Sequence, residues 1–380
     1  MSFDIHLLDN NYPSFKEVTF HSRIFQYDHL MDHLDFCQKI STVTSIGHSV
    51  EGREIFKLKL GRGQKKILIW SQMHGDESTG SLAMFDIWRF LSQESFLSSL
   101  IKNKLEISFI PMLNPDGAER FKRRNAMNID LNRDAIALQC PETRVLFQEI
   151  STCTPEVLFN LHDQRSLFHV GSTPKPAVIS FLAPSEDFHR TLTQGRKNTM
   201  GFIARIVHFV KSILPGMIGR YSDEFYPTAS GDRLQQMGYP CVLFEAGYHY
   251  QDREKQKARK YNALAILSGL YSLTQFDDFT SFYSDYFSIP GNDNKLLDKI
   301  YRNVQLKKNG LVIQADIGSR MQEIYNSSVD KLCFEERIVE IGDLSHFFAR
   351  EEISDRKGRY LGKNGETYPE LGEKTDFKLI

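Results

Sequence analysis

Four apolar runs in this chain stop at residues able to bind a metal, a substrate or a proton. Lys65 to Ser71 leads to His74 and Glu77, Leu105 to Pro111 to Asn114, Val157 to Leu161 to His162, and Cys241 to Phe244 to Glu245. Short continuous apolar runs mark strands buried on both faces. In an open α/β sheet, side chains just past the carboxyl ends of parallel strands converge on one crevice, so residues far apart in the chain meet there. His74 and Glu77, spaced i, i+3, present an imidazole and a carboxylate to one point from a tight turn. With His162 they make a His₂Glu set, the donor set of a catalytic zinc site whose fourth position stays open for water. A carboxylate at the tip of an apolar strand is costly to bury without a partner or a task, which singles out Glu245 as a general base with a raised pKa.

A second layer of candidates follows Asn114-Pro115-Asp116-Gly117: first Arg123-Arg124-Asn125, then Asp130-Leu131-Asn132-Arg133. The planar fork of an arginine suits carboxylates and oxyanions, and an asparagine beside it adds a donor. Asn132 and Arg133 are therefore a natural anchor for a substrate carboxylate. Lys122 and Arg124 read as part of a solvated basic loop. Asp130 suits the role of accepting the second ring N–H of a liganding histidine and so setting its tautomer.

The elements that must position these residues alternate. Phe25 to Ile40 has helical spacing, Thr42 to Leu60 reads as a hairpin turning at Val50-Glu51-Gly52-Arg53, and each apolar run after that is followed by a helical segment. Helices are expected at Ser78 to Leu91, Glu142 to Ile150, about Arg190 to Ile213 and about Arg253 to Leu273. The fold class is α/β: a mixed, mainly parallel sheet with helices on both faces. After Thr274 the texture changes to aromatic and acidic residues, then to short strand-like runs at Leu311 to Ala315, Cys333 to Phe334 and Ile338 to Ile341. A catalytic domain over 1–275 and a small β-rich C-terminal domain over 276–380 are expected, with Asp355 to Ile380 as a loosely held arm.

Composition narrows the function classes. Forty-one per cent hydrophobic residues and a formal net charge of −1 over 380 residues leave no global field to attract nucleic acid or anionic lipid. No stretch is apolar for the eighteen or so residues of a membrane span, and Met1 to His6 lacks a basic segment followed by an apolar run. Five scattered cysteines without a Cys-x-x-Cys pair argue against a disulfide framework or a thiolate metal site. A cytoplasmic protein with reduced thiols is expected. Oligomeric state is not legible.

Taken in order, Gly52-Arg53, His74-Gly75-Asp76-Glu77, Asn114-Pro115-Asp116-Gly117, Asp130-Leu131-Asn132-Arg133, Leu161-His162-Asp163-Gln164 and Phe244-Glu245 resemble the zinc carboxypeptidases of the carboxypeptidase A type, over about residues 40–275. The resemblance implies one zinc ion held by His74, Glu77 and His162. It implies that Arg123 polarises the scissile carbonyl, with Arg124 one position away as the competing assignment. It implies that Asn132 and Arg133 hold the terminal carboxylate, and that Glu245 is general base and acid. The implied reaction is hydrolysis of an amide bond next to a free carboxylate, removing C-terminal residues from peptides. A tyrosine covers the substrate in such enzymes, and Tyr221, Tyr226 and Tyr248 compete for that place. The alternative is an N-acyl amino acid deacylase similar to aspartoacylase and succinylglutamate desuccinylase, which share the core but generally lack the Asn-Pro-Asp-Gly segment.

Overall fold

The computed structural model describes residues 3–354 and 358–380. Two compact units account for them: the chain up to Arg165 together with Ala177–Asn292, and Ser166–Pro176 together with Asp293–Ile380. The sequence reading divides the chain at 275/276, whereas compactness divides it at 292/293. The 3₁₀ segment Thr280–Ser288 goes with the first unit because Phe279 and Tyr286 are buried in that unit's core.

The strands of the first unit are β1 (Thr42–His48), β2 (Glu54–Gly61), β3 (Lys65–Trp70), β4 (Leu105–Ile110), β5 (Val157–Asp163), β7 (Ile179–Leu182), β8 (Ile218–Arg220) and β9 (Cys241–Ala246). Two-residue pieces, β6 (His169–Val170) and β10 (Asn292–Asp293), lie outside this sheet. The sheet order is β1-β2-β4-β3-β5-β9-β7-β8. Its centre is parallel, β4-β3-β5-β9, and antiparallel pairs flank it on both sides. The helices are α1 (Ile5–Asn11), α2 (Tyr27–Gln38), α3 (Thr79–Ser92), α4 (Phe96–Lys104), α5 (Pro115–Glu119), α6 (Pro141–Cys153), α7 (Gln194–Val210), α8 (Ser230–Gln236) and α9 (Gln256–Gln275).

Both faces of the central strands are buried, as their unbroken apolar runs require. Ile67 and Ile69 of β3, Phe159 and Leu161 of β5 and Phe244 of β9 share one core with residues of α3, α7 and α9. The alternate residues Leu68, Trp70, Leu158 and Leu243 share a second core with Val145, Leu146 and Ile150 of α6. The period-2 alternation of a strand sends neighbours to opposite faces, and each side chain so buried stabilises the fold by about 1.5–3 kcal/mol.

The expected hairpin forms between β1 and β2. Its turn is fastened by Asp116, which is fully buried and accepts from Ser49 Oγ at 2.8 Å, the Glu51 amide at 3.0 Å and Arg53 at 2.7 Å. Asn114 caps α5 by accepting from the Gly117 amide at 2.9 Å, and Pro115, which has no N–H to leave unpaired, opens its first turn. The turn after β3 packs so closely on α5 that a Cβ at Gly75 would lie 2.0 Å from the Gly117 carbonyl carbon. Only glycine fits there. Among the elements not foreseen from sequence are the helix α4 and the short strands β7 and β8.

In the second unit, β11 (Leu296–Lys308), β12 (Leu311–Asn326), β13 (Lys331–Gly342) and β14 (Phe348–Ser354) form a sheet in the order β13-β12-β11-β14. Its strands are much longer than the short runs expected, because their polar faces hide the strand signal from a reading based on apolar stretches. Residues 355–357 of the expected loose arm lie outside the described residues. Of the remainder, Tyr360 is buried and packs on Phe377 with ring centroids 4.9 Å apart, and β15 (Tyr360–Leu361) pairs with β16 (Lys378–Leu379). That part is held, not loose. All five cysteines are free, and Cys37, Cys140 and Cys241 are buried.

Candidate metal centre

The site lies at the carboxyl ends of β3, β5 and β9. After Trp70 the chain turns sharply: Gln72 takes a left-handed φ of 45° and its Nε2 donates to the Gly75 carbonyl at 3.1 Å. Strain of this kind persists only where the surroundings over-determine it. The turn delivers His74 and Glu77 just before α3. His162 is the sixth residue of β5 and Glu245 the fifth of β9, and the two are register partners across the parallel pair.

His74, Glu77 and His162 each offer a ligand atom within 4.8 Å of the others. His74 Nδ1 lies 2.8 Å from Glu77 Oε1, and His162 Nδ1 lies 2.8 Å from Glu77 Oε2. His74 Nε2 lies 3.2 Å from Asp130 Oδ1, the arrangement expected of Asp130. With the ring proton on Nε2, the Nδ1 lone pair faces a carboxylate oxygen, and such a contact repels unless a proton or a cation lies between. The Asp163 amide donates to Glu77 Oε2 at 3.1 Å and helps aim it. Two imidazole nitrogens converging on one carboxylate, with a carboxylate behind one ring, fit a zinc ion.

The electrostatics are those of a site that needs a cation. Burial opposes charge on His74, but Glu77 and Asp130 outweigh it and raise its pKa to about 9. Burial also opposes charge on Glu77, and there the two histidines prevail and hold its carboxyl well below the usual range. Burial lowers the pKa of His162. Burial, and then the nearby Glu77 charge, push Glu245 up to about 8. Among the described residues none hydrogen-bonds the Glu245 carboxyl.

Arg123 and Arg124 separate cleanly. Arg123 turns inward, its Nε donating to Asp130 Oδ2 at 3.0 Å and its Nη1 to Glu77 Oε1 at 3.2 Å. Arg124 is exposed and donates to the Asn128 carbonyl. Asn132 Oδ1 accepts from the Ser230 amide at 2.8 Å, which joins its loop to the start of α8. Arg133 is exposed, and its guanidinium carbon lies 5.1 Å from the centre of the Tyr226 ring. Tyr221 is half-buried, and burial together with the charges of Glu245 and Glu77 raises its pKa. Tyr248 sits where β9 ends, its amide donating to the Ala177 carbonyl.

Four nearby residues escaped the sequence reading. Asp76 has a buried oxygen without a partner among the described residues, and burial raises its pKa to about 6. Thr79 Oγ1 donates to Asp163 Oδ2 at 2.6 Å, and Lys255 Nζ to the same oxygen at 3.0 Å. Asp163 and Asp76 stand inside recognised motifs and were within reach. Lys255 carries no local signal at all.

Residues 27–157 match the family model described as zinc carboxypeptidase. The chain is similar to probable carboxypeptidase 2 of Trichophyton verrucosum, 30% identical over 119 residues, covering 30% of this chain and 22% of that protein. It is similar to carboxypeptidase SOL1 of Arabidopsis thaliana at 31% identity, covering 26% and 22% of the two chains. It thus spans about a fifth of the length of these curated relatives. Among solved structures it resembles a metallo-carboxypeptidase from Burkholderia cenocepacia, with a TM-score of 0.53 at 19% identity over 66% of this chain and 70% of that one. It also resembles carboxypeptidase A from Helicoverpa armigera, with a TM-score of 0.53 at 17% identity over 72% and 81%. The resemblance to the zinc carboxypeptidases is therefore shown over residues 27–157, and 66% of the chain has the metallocarboxypeptidase fold.

Proposed function

We propose that the chain is a zinc metallocarboxypeptidase, hydrolysing the amide bond that precedes a free C-terminal carboxylate. The observation that carries this reading is the convergence of both imidazole Nδ1 atoms on the Glu77 carboxylate, 2.8 Å from each, beside the strand that bears Glu245. His74, Glu77 and His162 hold a single ion. When bound, zinc supplies a Lewis acid and lowers the pKa of a water from about 15.7 towards 7.

The remaining work belongs to the side chains. Glu245 accepts the proton of the attacking water and returns it to the departing amine. Arg123 directs a guanidinium at the oxyanion that develops on the scissile carbonyl. Asn132 and Arg133 take the substrate's terminal carboxylate, which fixes the bond presented for cleavage. Tyr226, stacked against Arg133, is the tyrosine we place over the bound terminus. The catalytic work belongs to residues 1–275, with 276–380 accessory, and the free cysteines support a cytoplasmic setting.

Mass spectrometry of a mixed peptide library, with and without chelator, tests the reading. Residues leaving one at a time from the C-terminus, only without chelator, support it. Faster turnover of N-acyl amino acids than of any peptide would replace it with the deacylase alternative.

A further inference from the structure

Lys255 breaks three local rules at once. It precedes α9 with a left-handed φ of 50°, a conformation that side chains with a Cβ disfavour. It brings a cation to the positive end of a helix dipole. It is 5% exposed, and a buried ammonium needs compensation. Capping the helix does not explain its place, because Asp252 Oδ2 already accepts from the amides of Lys257 and Ala258.

What these costs secure is a three-way grip. Lys255 Nζ donates to Asp163 Oδ2 at 3.0 Å, to the Gln164 carbonyl at 3.1 Å and to the Ala246 carbonyl at 3.2 Å. Asp163 and Gln164 directly follow His162, and Ala246 directly follows Glu245. The ammonium therefore ties together the tips of two neighbouring strands, each one or two residues from a group of the site. Thr79 Oγ1 holds the same Asp163 oxygen from the first turn of α3, two residues after Glu77. Sites that violate local preference while gaining nothing locally are expected to serve a constellation elsewhere.

We infer that Lys255 is a positioning residue, whose ammonium sets the spacing between His162 and Glu245 by holding the tips of β5 and β9. The inference rests on the reading of His162 as a ligand and Glu245 as the base. It differs from a simple internal staple in what should change when the ammonium is removed. A staple affects global stability alone, whereas a positioning residue affects metal retention and turnover in protein that is still folded.

The test compares wild type with Lys255→Met, which keeps the stem and removes the charge, well below both unfolding temperatures. Three quantities are read: kcat and KM on a peptide substrate, the rate of zinc release to a chelator, and hydrogen exchange at Gln164 and Gly247 in the zinc-free protein. We expect kcat to fall about 10- to 100-fold with KM nearly unchanged, and zinc release to quicken by a similar factor. Exchange at both tips should accelerate about tenfold or more. A folded Lys255→Met protein with all three quantities within about twofold of wild type overturns the inference. If that variant does not fold, Thr79→Val loosens the same Asp163 oxygen, and unchanged kcat, zinc release and exchange there overturn it equally. Should wild type bind no zinc or cleave no peptide, the functional reading fails by itself. The exchange measurement on zinc-free protein then still decides whether Lys255 orders the two tips.

Discussion

His162 and Glu245 are register partners on the parallel strands β5 and β9, so an imidazole and a carboxylate leave the sheet side by side although 83 positions separate them in the chain. Strand partners point to the same face, and here that is the face that carries Leu158 and Leu243 below them. The pairing commits the two groups to one crevice and makes their roles separable by mutation.

Glu245→Gln preserves shape and removes the proton acceptor. Zinc content measured by metal analysis should stay stoichiometric, while kcat falls about 10²- to 10⁴-fold. Substantial residual hydrolysis in the zinc-loaded variant would remove Glu245 from the role of base.

Arg123→Ala and Arg133→Ala should fail differently. Losing a donor to the oxyanion costs about 2.7–4 kcal/mol, so Arg123→Ala should lose roughly a hundred- to thousandfold in kcat. Arg133→Ala should act chiefly through KM and narrow the preference for free over amidated C-termini. Steady-state kinetics on matched acid and amide peptides separates the two patterns.

Zinc uptake should depend on pH through His74. In the zinc-free protein its pKa is raised from 6.5 to about 9. Metal must displace that proton, so between these values apparent affinity should rise about tenfold per pH unit, with a proton released on binding. Stability of the zinc-free protein should move oppositely. A folded pKa above the unfolded one stabilises fully below pH 6.5, and that contribution is lost as pH rises through 9. Competition titrations and thermal melts across this interval check both signs.

Asp86 and Arg259 form a fully buried pair, joined by the Tyr12 hydroxyl donating to Asp86 Oδ2 at 2.5 Å. Asp86→Asn leaves the guanidinium buried without its counter-charge and should cost about 3–5 kcal/mol. Chemical denaturation of the zinc-free variant measures it. Zinc content should stay unchanged, because the pair lies outside the ligand set.

Much of the site was legible because its residues sit at the ends of strands written as short apolar runs, inside motifs that keep their order. His74, Glu77, His162 and Glu245 could be named from that pattern, and Asp130 from what a liganding imidazole needs behind it. The choice between Arg123 and Arg124 was not legible, since two adjacent identical side chains differ only in which way the loop points them. Nor was the contact between Tyr226 and Arg133 legible, because it crosses 93 positions.

By itself, then, the sequence determined the fold class, the four strands that end in chemistry and the donor set that a metal would find. Period-2 burial and residue type are local properties, and a reader of the chain has access to both. Tertiary structure alone decided which arginine turns inward and how β5 and β9 are held together. It also decided that a lysine ten positions beyond Glu245 reaches back to both tips. Those outcomes depend on the direction of side chains and the meeting of distant backbone carbonyls, which no spacing along one chain encodes.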